Sequence, residues 1–204
     1  MSLATLLTRQ AGVISREQAL ACGMSRDAVD HRLRTRRWRP LHPRVYLVDG
    51  HRYDDEARVR AAVLWAGAGA VLCGTAAAWW HGMVDEAPAT VGVTVPRRRC
   101  SRPGVDVRRR KLAPVDVLSR RGLLVTAPPL AILEAAVELG VSGGAELLDR
   151  ALQQWVALPE VHRAYRRGLG TQGSTTAGRA LAAAAHRWAA REVAAKSYRP
   201  DRLP

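Results

Sequence analysis

The sequence has no phenylalanine and only two lysines, Lys111 and Lys196, among 32 basic side chains. Arginine for lysine and a lack of Phe follow a GC-rich coding bias. That bias sets which basic residue is used but not why 32 basic residues face only 18 acidic ones. The three cysteines, Cys22, Cys73 and Cys100, are few and far apart. They form no C-x-x-C pair or Cys/His cluster, which excludes a disulfide framework and a zinc site and leaves reduced thiols as the expectation. Met1–Gln10 has no long apolar run behind a basic start, so no secretory leader is read and a cytoplasmic location is expected. Ala61–Trp80 is uncharged, but it is mostly alanine and holds Gly67, Gly69, Gly74 and Thr75. It reads as a break between two buried helices and not as a membrane span. G-x-x-x-x-G-K-[ST], G-x-S-x-G and H-E-x-x-H are all missing, so no nucleotide cradle, hydrolase elbow or zinc protease is indicated.

What is present is charge in blocks. The net charge of +14 divides into +6 over residues 1–52, −3 over 53–96, +8 over 97–121, −4 over 122–162 and +7 over 163–204. Clustered positive charge favours a docking surface for a polyanion. Apolar residues make up 48 % of the chain, enough for a buried core.

The first block has the signals of a helix-turn-helix. Leu3, Leu6 and Leu7 share one face of a first helix. Ser15 with Gln18 is a capping-box pattern for a second helix from Arg16 to Cys22, closed by Gly23. Ser25 is placed to cap a third helix from Arg26 to about Thr35. Val29 and Leu33 point that helix inward, and Arg26, Asp30, His31, Arg34 and Arg37 lie opposite. Arg32 falls where a core residue is usual. Trp38 and Val45-Tyr-Leu47 then predict two short strands around a Pro/His/Arg tip, the wing of a winged helix. Ser25, Arg26, Asp30, His31 and Arg34 are the expected contacts to bases and the helix start. Arg36, Arg37, Arg39, His42 and Arg44 are the expected backbone contacts. The competing reading is a basic helical hairpin that binds nothing.

Further along, Asp54-Asp-Glu56 predicts a helix to Ala66 with acids in its first turn. Val71-Leu-Cys73 reads as a short strand or an extended link, and Thr75 as the cap of a helix ending at His81-Gly82. His81 is expected to be hydrogen-bonded at the helix end, with no partner spaced for catalysis. Val91, Val93 and Val95 alternate like a half-buried strand, as do Val105 and Val107. As a hairpin these would gather Arg97–Arg99 and Arg108–Lys111, either as a second phosphate-contacting surface or as a solvated loop. Leu123–Val125 predicts a strand, and Thr126 the cap of a helix with Pro128 and Pro129 in its first turn. Gly168, Gly170 and Gly173 read as a joint before an Ala/Arg helix over Ser174–Lys196.

Several of these runs resemble AbiEi-type antitoxins of type IV toxin–antitoxin systems. They are Gly12-Val-Ile-Ser-Arg-Glu-Gln-Ala19, Gly23-Met-Ser25 and Arg32-Leu-Arg-Thr-Arg-Arg-Trp-Arg-Pro-Leu-His-Pro-Arg-Val-Tyr-Leu47. Gly74-Thr-Ala-Ala-Ala-Trp-Trp-His-Gly82, Val125-Thr-Ala-Pro128 and Glu146-Leu-Leu-Asp-Arg-Ala-Leu152 extend the likeness to about residue 168. Many such proteins have Gly where this chain has Pro43-Arg44. The resemblance implies an α+β protein with a winged helix-turn-helix over 1–52, an antitoxin-like domain over 53–168 and a basic Ala-rich helical tail over 169–204. It also implies a repressor of its own operon, bound to double-stranded operator DNA. The implied partner is a nucleotidyltransferase-like toxin, countered without a tight complex. No membrane, metal or cofactor is expected, and self-association on DNA is allowed. Relatives with a C-terminal endonuclease-like domain need metal-holding carboxylates. After residue 162 only Glu192 and Asp201 remain, so no catalysis is expected. The alternatives are a truncated relative of those nuclease-bearing proteins and a protein-interaction module built on the tail helix.

Overall fold

The computed structural model describes residues 2–96, 100–168 and 174–197, with side chains to residue 168 and over 175–190 within the last two stretches. The fold is α+β, as expected. It opens with α1 (Leu3–Arg9), β1 (Val13–Ser15), α2 (Arg16–Ala21), α3 (Arg26–Arg34), β2 (Trp38–His42) and β3 (Val45–Val48). The three strands form an antiparallel sheet in the order β1-β3-β2. β1 was not anticipated, because three residues between Gly12 and a capping box show no alternation. Its partner β3 explains the unbroken apolar run Val45-Tyr-Leu-Val48, since the sheet is covered on both faces. Ile14 and Tyr46 join Leu6, Leu7, Ala19, Val29 and Trp38 beneath the three helices. Val13, Val45 and Leu47 pack instead on Ala57 and Ala61 of α4 (Asp55–Ala66).

α4 is thus shared. Its other side meets a five-stranded sheet through Val59, Ala62 and Val63. That sheet has the order β6-β5-β4-β8-β7, from β4 (Val71–Cys73), β5 (Val91–Val95), β6 (Val105–Arg109), β7 (Val117–Arg120) and β8 (Leu123–Thr126). Val71–Cys73 is a central strand, pairing antiparallel with β5 and parallel with β8. The expected hairpin is corrected here: β5 and β6 run parallel, Val91 opposite Val105 and Val95 opposite Arg109. Parallel neighbours need a crossover, not a tight turn. β5 is also buried throughout, not on alternate residues, because it lies between β4 and β6 with both faces covered. Arg97–Arg99 lie outside the described residues, as do Gly170, Gly173 and residues 198–204.

The helix after β4, α5 (Gly74–His81), begins two residues earlier than expected, with Thr75 inside it and not at the cap. Glutamates of α6 (Pro128–Glu138) take over the capping. Gly74 N–H donates to Glu134 at 2.9 Å and Thr75 N–H to Glu138 at 2.8 Å. Gly74 sits at φ +66°, and a Cβ there would collide with the Glu138 carboxylate at 1.9 Å. Thr126 is likewise not the cap of α6; it ends β8, and Ala127 holds the cap position without a side-chain bond. His81 ends α5 bonded through Nε2 to the Thr126 carbonyl at 2.8 Å, as expected of a structural histidine. α6 then packs with α7 (Gly140–Gln154), α8 (Leu158–Arg167) and α9 (Ser174–Ser197) around Ile132, Leu133, Leu147, Leu148, Val161 and Leu181. Among the described residues no helix is long and apolar enough to cross a membrane.

Candidate nucleic-acid interface

The expected capping geometry sets the two helices of the turn. Ser15 Oγ accepts from Gln18 N–H at 3.1 Å and the Gln18 side chain accepts from Ser15 N–H at 3.0 Å. The same glutamine exchanges amide bonds with Gln10 at 2.9 and 3.1 Å. Ser25 caps α3 by accepting from Ala28 N–H at 3.0 Å, so its hydroxyl oxygen is already engaged. Val29 is fully buried and Leu33 packs on the same core. Arg32 takes its core-side position by laying its guanidinium over Trp38, 5.9 Å from the ring centre.

Arg26, His31, Arg34, Arg36, Arg37, Arg39 and Arg44 are all exposed. Arg36 turns the chain from α3 into β2 at φ +57°. Arg39 lies over the exposed ring of Tyr53, 5.0 Å from its centre. Arg44 sits at φ +65° in the β2–β3 turn, and its guanidinium is 3.5 Å from Glu17. Both partners are largely exposed, so that pair holds little energy. Arg26, Arg34, Arg36, Arg37 and Arg39 make no ion pair with a described carboxylate. Two expected contacts are placed differently. His42 is half-buried against Trp65, with ring centres 5.8 Å apart, and looks toward α4. Burial and Arg102 hold its pKa below the usual histidine value, so it is neutral at pH 7. Asp30 is half-buried and taken up by Arg16 in two parallel bonds of 2.6 and 2.9 Å. Sequence reasoning missed Arg16 as a partner, since no spacing rule links positions 14 residues apart across a turn. The Arg16 bond holds the Asp30 carboxyl below the usual aspartate range. Its contribution is therefore present above the unfolded aspartate pKa and lost only as pH falls through the lowered folded value.

The positive blocks beyond residue 96 are treated differently by the fold. Arg108 pairs with Glu138 at 2.5 Å and Arg110 with Glu134. Arg167 pairs with Asp116 at 2.5 Å and Arg187 with Asp149 at 2.9 Å. Arg121 shares Glu56 with the buried Arg60. Much of that charge is consumed in joining strands to helices, whereas that on α3 and β2 faces solvent. Cys73 lies beneath the Arg108/Arg110 cluster, its thiol pushed up to about 12 by burial and by Glu134, which makes it unreactive. Among the described residues no group of three or more His, Cys, Asp and Glu is placed to hold a metal.

The five-stranded sheet and the helices after it coincide with a known family. The model of the AbiEi antitoxin C-terminal domain matches residues 69–186, more than half of the chain. The chain belongs to that family. The AbiEi match starts just before β4 and ends within α9, so it takes in the first part of α9 together with the helices it packs on. The cluster of exposed arginines lies outside the AbiEi-matched stretch, in the N-terminal unit. No curated protein matches the chain.

Proposed function

We propose that this chain is a DNA-binding transcriptional repressor and the antitoxin of a type IV toxin–antitoxin pair, acting on its own operon without catalysis. Residues 1–52 are the winged helix-turn-helix, 53–168 the antitoxin-like domain and 169–204 its helical extension. The observation that carries the DNA reading is the row of exposed arginines outside any described ion pair on α3, on β2 and between them. The helices α2 and α3 and the sheet beneath them supply what a recognition helix needs, one face fixed to a core and one free for a major groove. Arg26, His31 and Arg34 meet base edges, and Arg36, Arg37, Arg39 and Arg44 meet phosphates. His42 leaves the set because it packs on Trp65. The antitoxin reading is supported by the family match over residues 69–186, and we assign the action against a nucleotidyltransferase-like toxin to the antitoxin-like domain.

Binding of the full chain to the DNA upstream of its own coding sequence, followed by fluorescence anisotropy, tests the reading. Arg34→Ala is expected to weaken the specific site by about 1–3 kcal/mol and relax the preference at one guanine. Arg39→Ala is expected to weaken all sequences alike and lower the salt slope by about 1. An unchanged sequence preference in Arg34→Ala would remove that residue from base reading.

A further inference from the structure

We propose that Asp30 reads no base, and that with Arg16 it forms a clamp setting the angle of the recognition helix on its partner helix. Asp30 is in the middle of α3 and Arg16 is the first residue of α2, so the pair joins the two helices of the turn directly. Both carboxylate oxygens are used, at 2.6 and 2.9 Å, in the fork geometry that fixes direction as well as distance. The Arg16 side chain is only 20 % exposed, so its end of the pair is fixed in the fold, while the Asp30 side chain is 48 % exposed. The backbone N–H of Arg16 donates to the Arg44 carbonyl at the strand turn, at 2.8 Å. One arginine therefore ties α3 and the β2–β3 turn together at a single point. A carboxylate that recognises cytosine must accept from the N4 amino group. Asp30 turns both oxygens to Arg16, so the fork, and not a base, sets where they point. The face that α3 offers to the groove at Arg26 and Arg34 is then one of donors, suited to guanine edges.

The inference rests on the DNA-binding reading, and the two fail differently. The intact chain is first used to enrich a random-sequence duplex library; enrichment of no sequence would defeat the DNA reading and the clamp with it. With an enriched site in hand, Asp30→Asn, Asp30→Glu, Arg16→Lys and the swapped pair Arg16→Asp/Asp30→Arg are compared on that site and on random DNA. All are measured well below their melting temperatures. Removing a negative charge beside DNA would by itself strengthen binding. The clamp predicts the opposite for the specific site. Asp30→Asn and Arg16→Lys each lose about tenfold there because the contacts of α3 are misaligned. Random DNA is bound as before or slightly tighter, and the enriched sequence stays the same. The swapped pair or Asp30→Glu recovers most of the loss. Loss of preference at a single C·G position in Asp30→Asn would overturn the clamp and return Asp30 to base reading. Unchanged specific affinity in both single variants would also overturn it.

Discussion

A chain cut after Arg52 is expected to show no cooperative thermal transition and no DNA binding. The cut falls at the end of the proposed winged helix, yet it removes α4, the cover of one face of the N-terminal sheet. Val13, Val45 and Leu47, each at most 5 % exposed in the full chain, would be laid open together. At about 1.5–3 kcal/mol per large aliphatic side chain, the loss is about 5–9 kcal/mol. That is comparable to the whole stability of a small domain, and a unit of this size is already marginal. His42 would lose Trp65 and Arg39 would lose Tyr53 at the same time. Circular dichroism of the fragment across temperature checks this. A cooperative melt within a few degrees of that of the full chain would show that α4 does not hold the sheet.

The second large effect is expected at Glu134, inside the AbiEi-matched region. Glu134 is 8 % exposed, accepts from Gly74 N–H at the start of α5, and faces Arg110, the residue after β6. Truncating it leaves a buried N–H without an acceptor and a guanidinium without its counter-charge. Glu134→Ala is expected to cost about 3–5 kcal/mol, which for a chain of this length lowers Tm by about 6–20 °C. Glu134→Gln keeps an acceptor for Gly74 and loses only the charge, so it falls between Ala and the parent. The pH dependence separates the contributions. Burial raises the Glu134 carboxyl above the usual glutamate range, the Arg110 partner notwithstanding. Its contribution is then fully present below the unfolded glutamate pKa and lost as pH rises through the raised folded value. Glu134→Gln should flatten that part of the stability profile. A Tm for Glu134→Ala within a degree or two of the parent would show that Arg110 finds other compensation.

The local signals were legible because they depend on neighbours in the chain. The Ser15/Gln18 box, the Ser25 cap, the end of α5 at Gly82 and the acid-rich start of α4 all follow from residues within one helical turn. What failed depends on residues far apart. Thr75 looks like a cap, but the donors at the start of α5 go to carboxylates about 60 positions later. Two alternating Val runs around a basic stretch read as a hairpin, because alternation reports the face of a strand and not the direction of its neighbour. At the candidate interface the exposed arginines were found from composition and helix position. The partners of Asp30 and His42, Arg16 and Trp65, were not legible because they come from other elements. The block charges misled in a similar way: the stretch with the highest net charge, 97–121, includes Arg108, Arg110 and Arg121, all matched to glutamates of other helices.

The central claim is that Arg36 and Arg37 after α3, Arg39 of β2 and Arg44 of the strand turn neutralise DNA phosphates. Its most direct test is the affinity of the full chain for duplex DNA across a salt series, beside the triple variant Arg36→Ala/Arg37→Ala/Arg39→Ala. Each phosphate contact contributes about −0.9 to the slope of log K against log salt. The proposed contacts of Arg36, Arg37, Arg39 and Arg44 predict a slope of about −3.6 or steeper for the parent, and one shallower by about 2.7 in the triple variant. A parent that does not bind duplex DNA at low salt, or a triple variant with the parent's slope, would contradict the account.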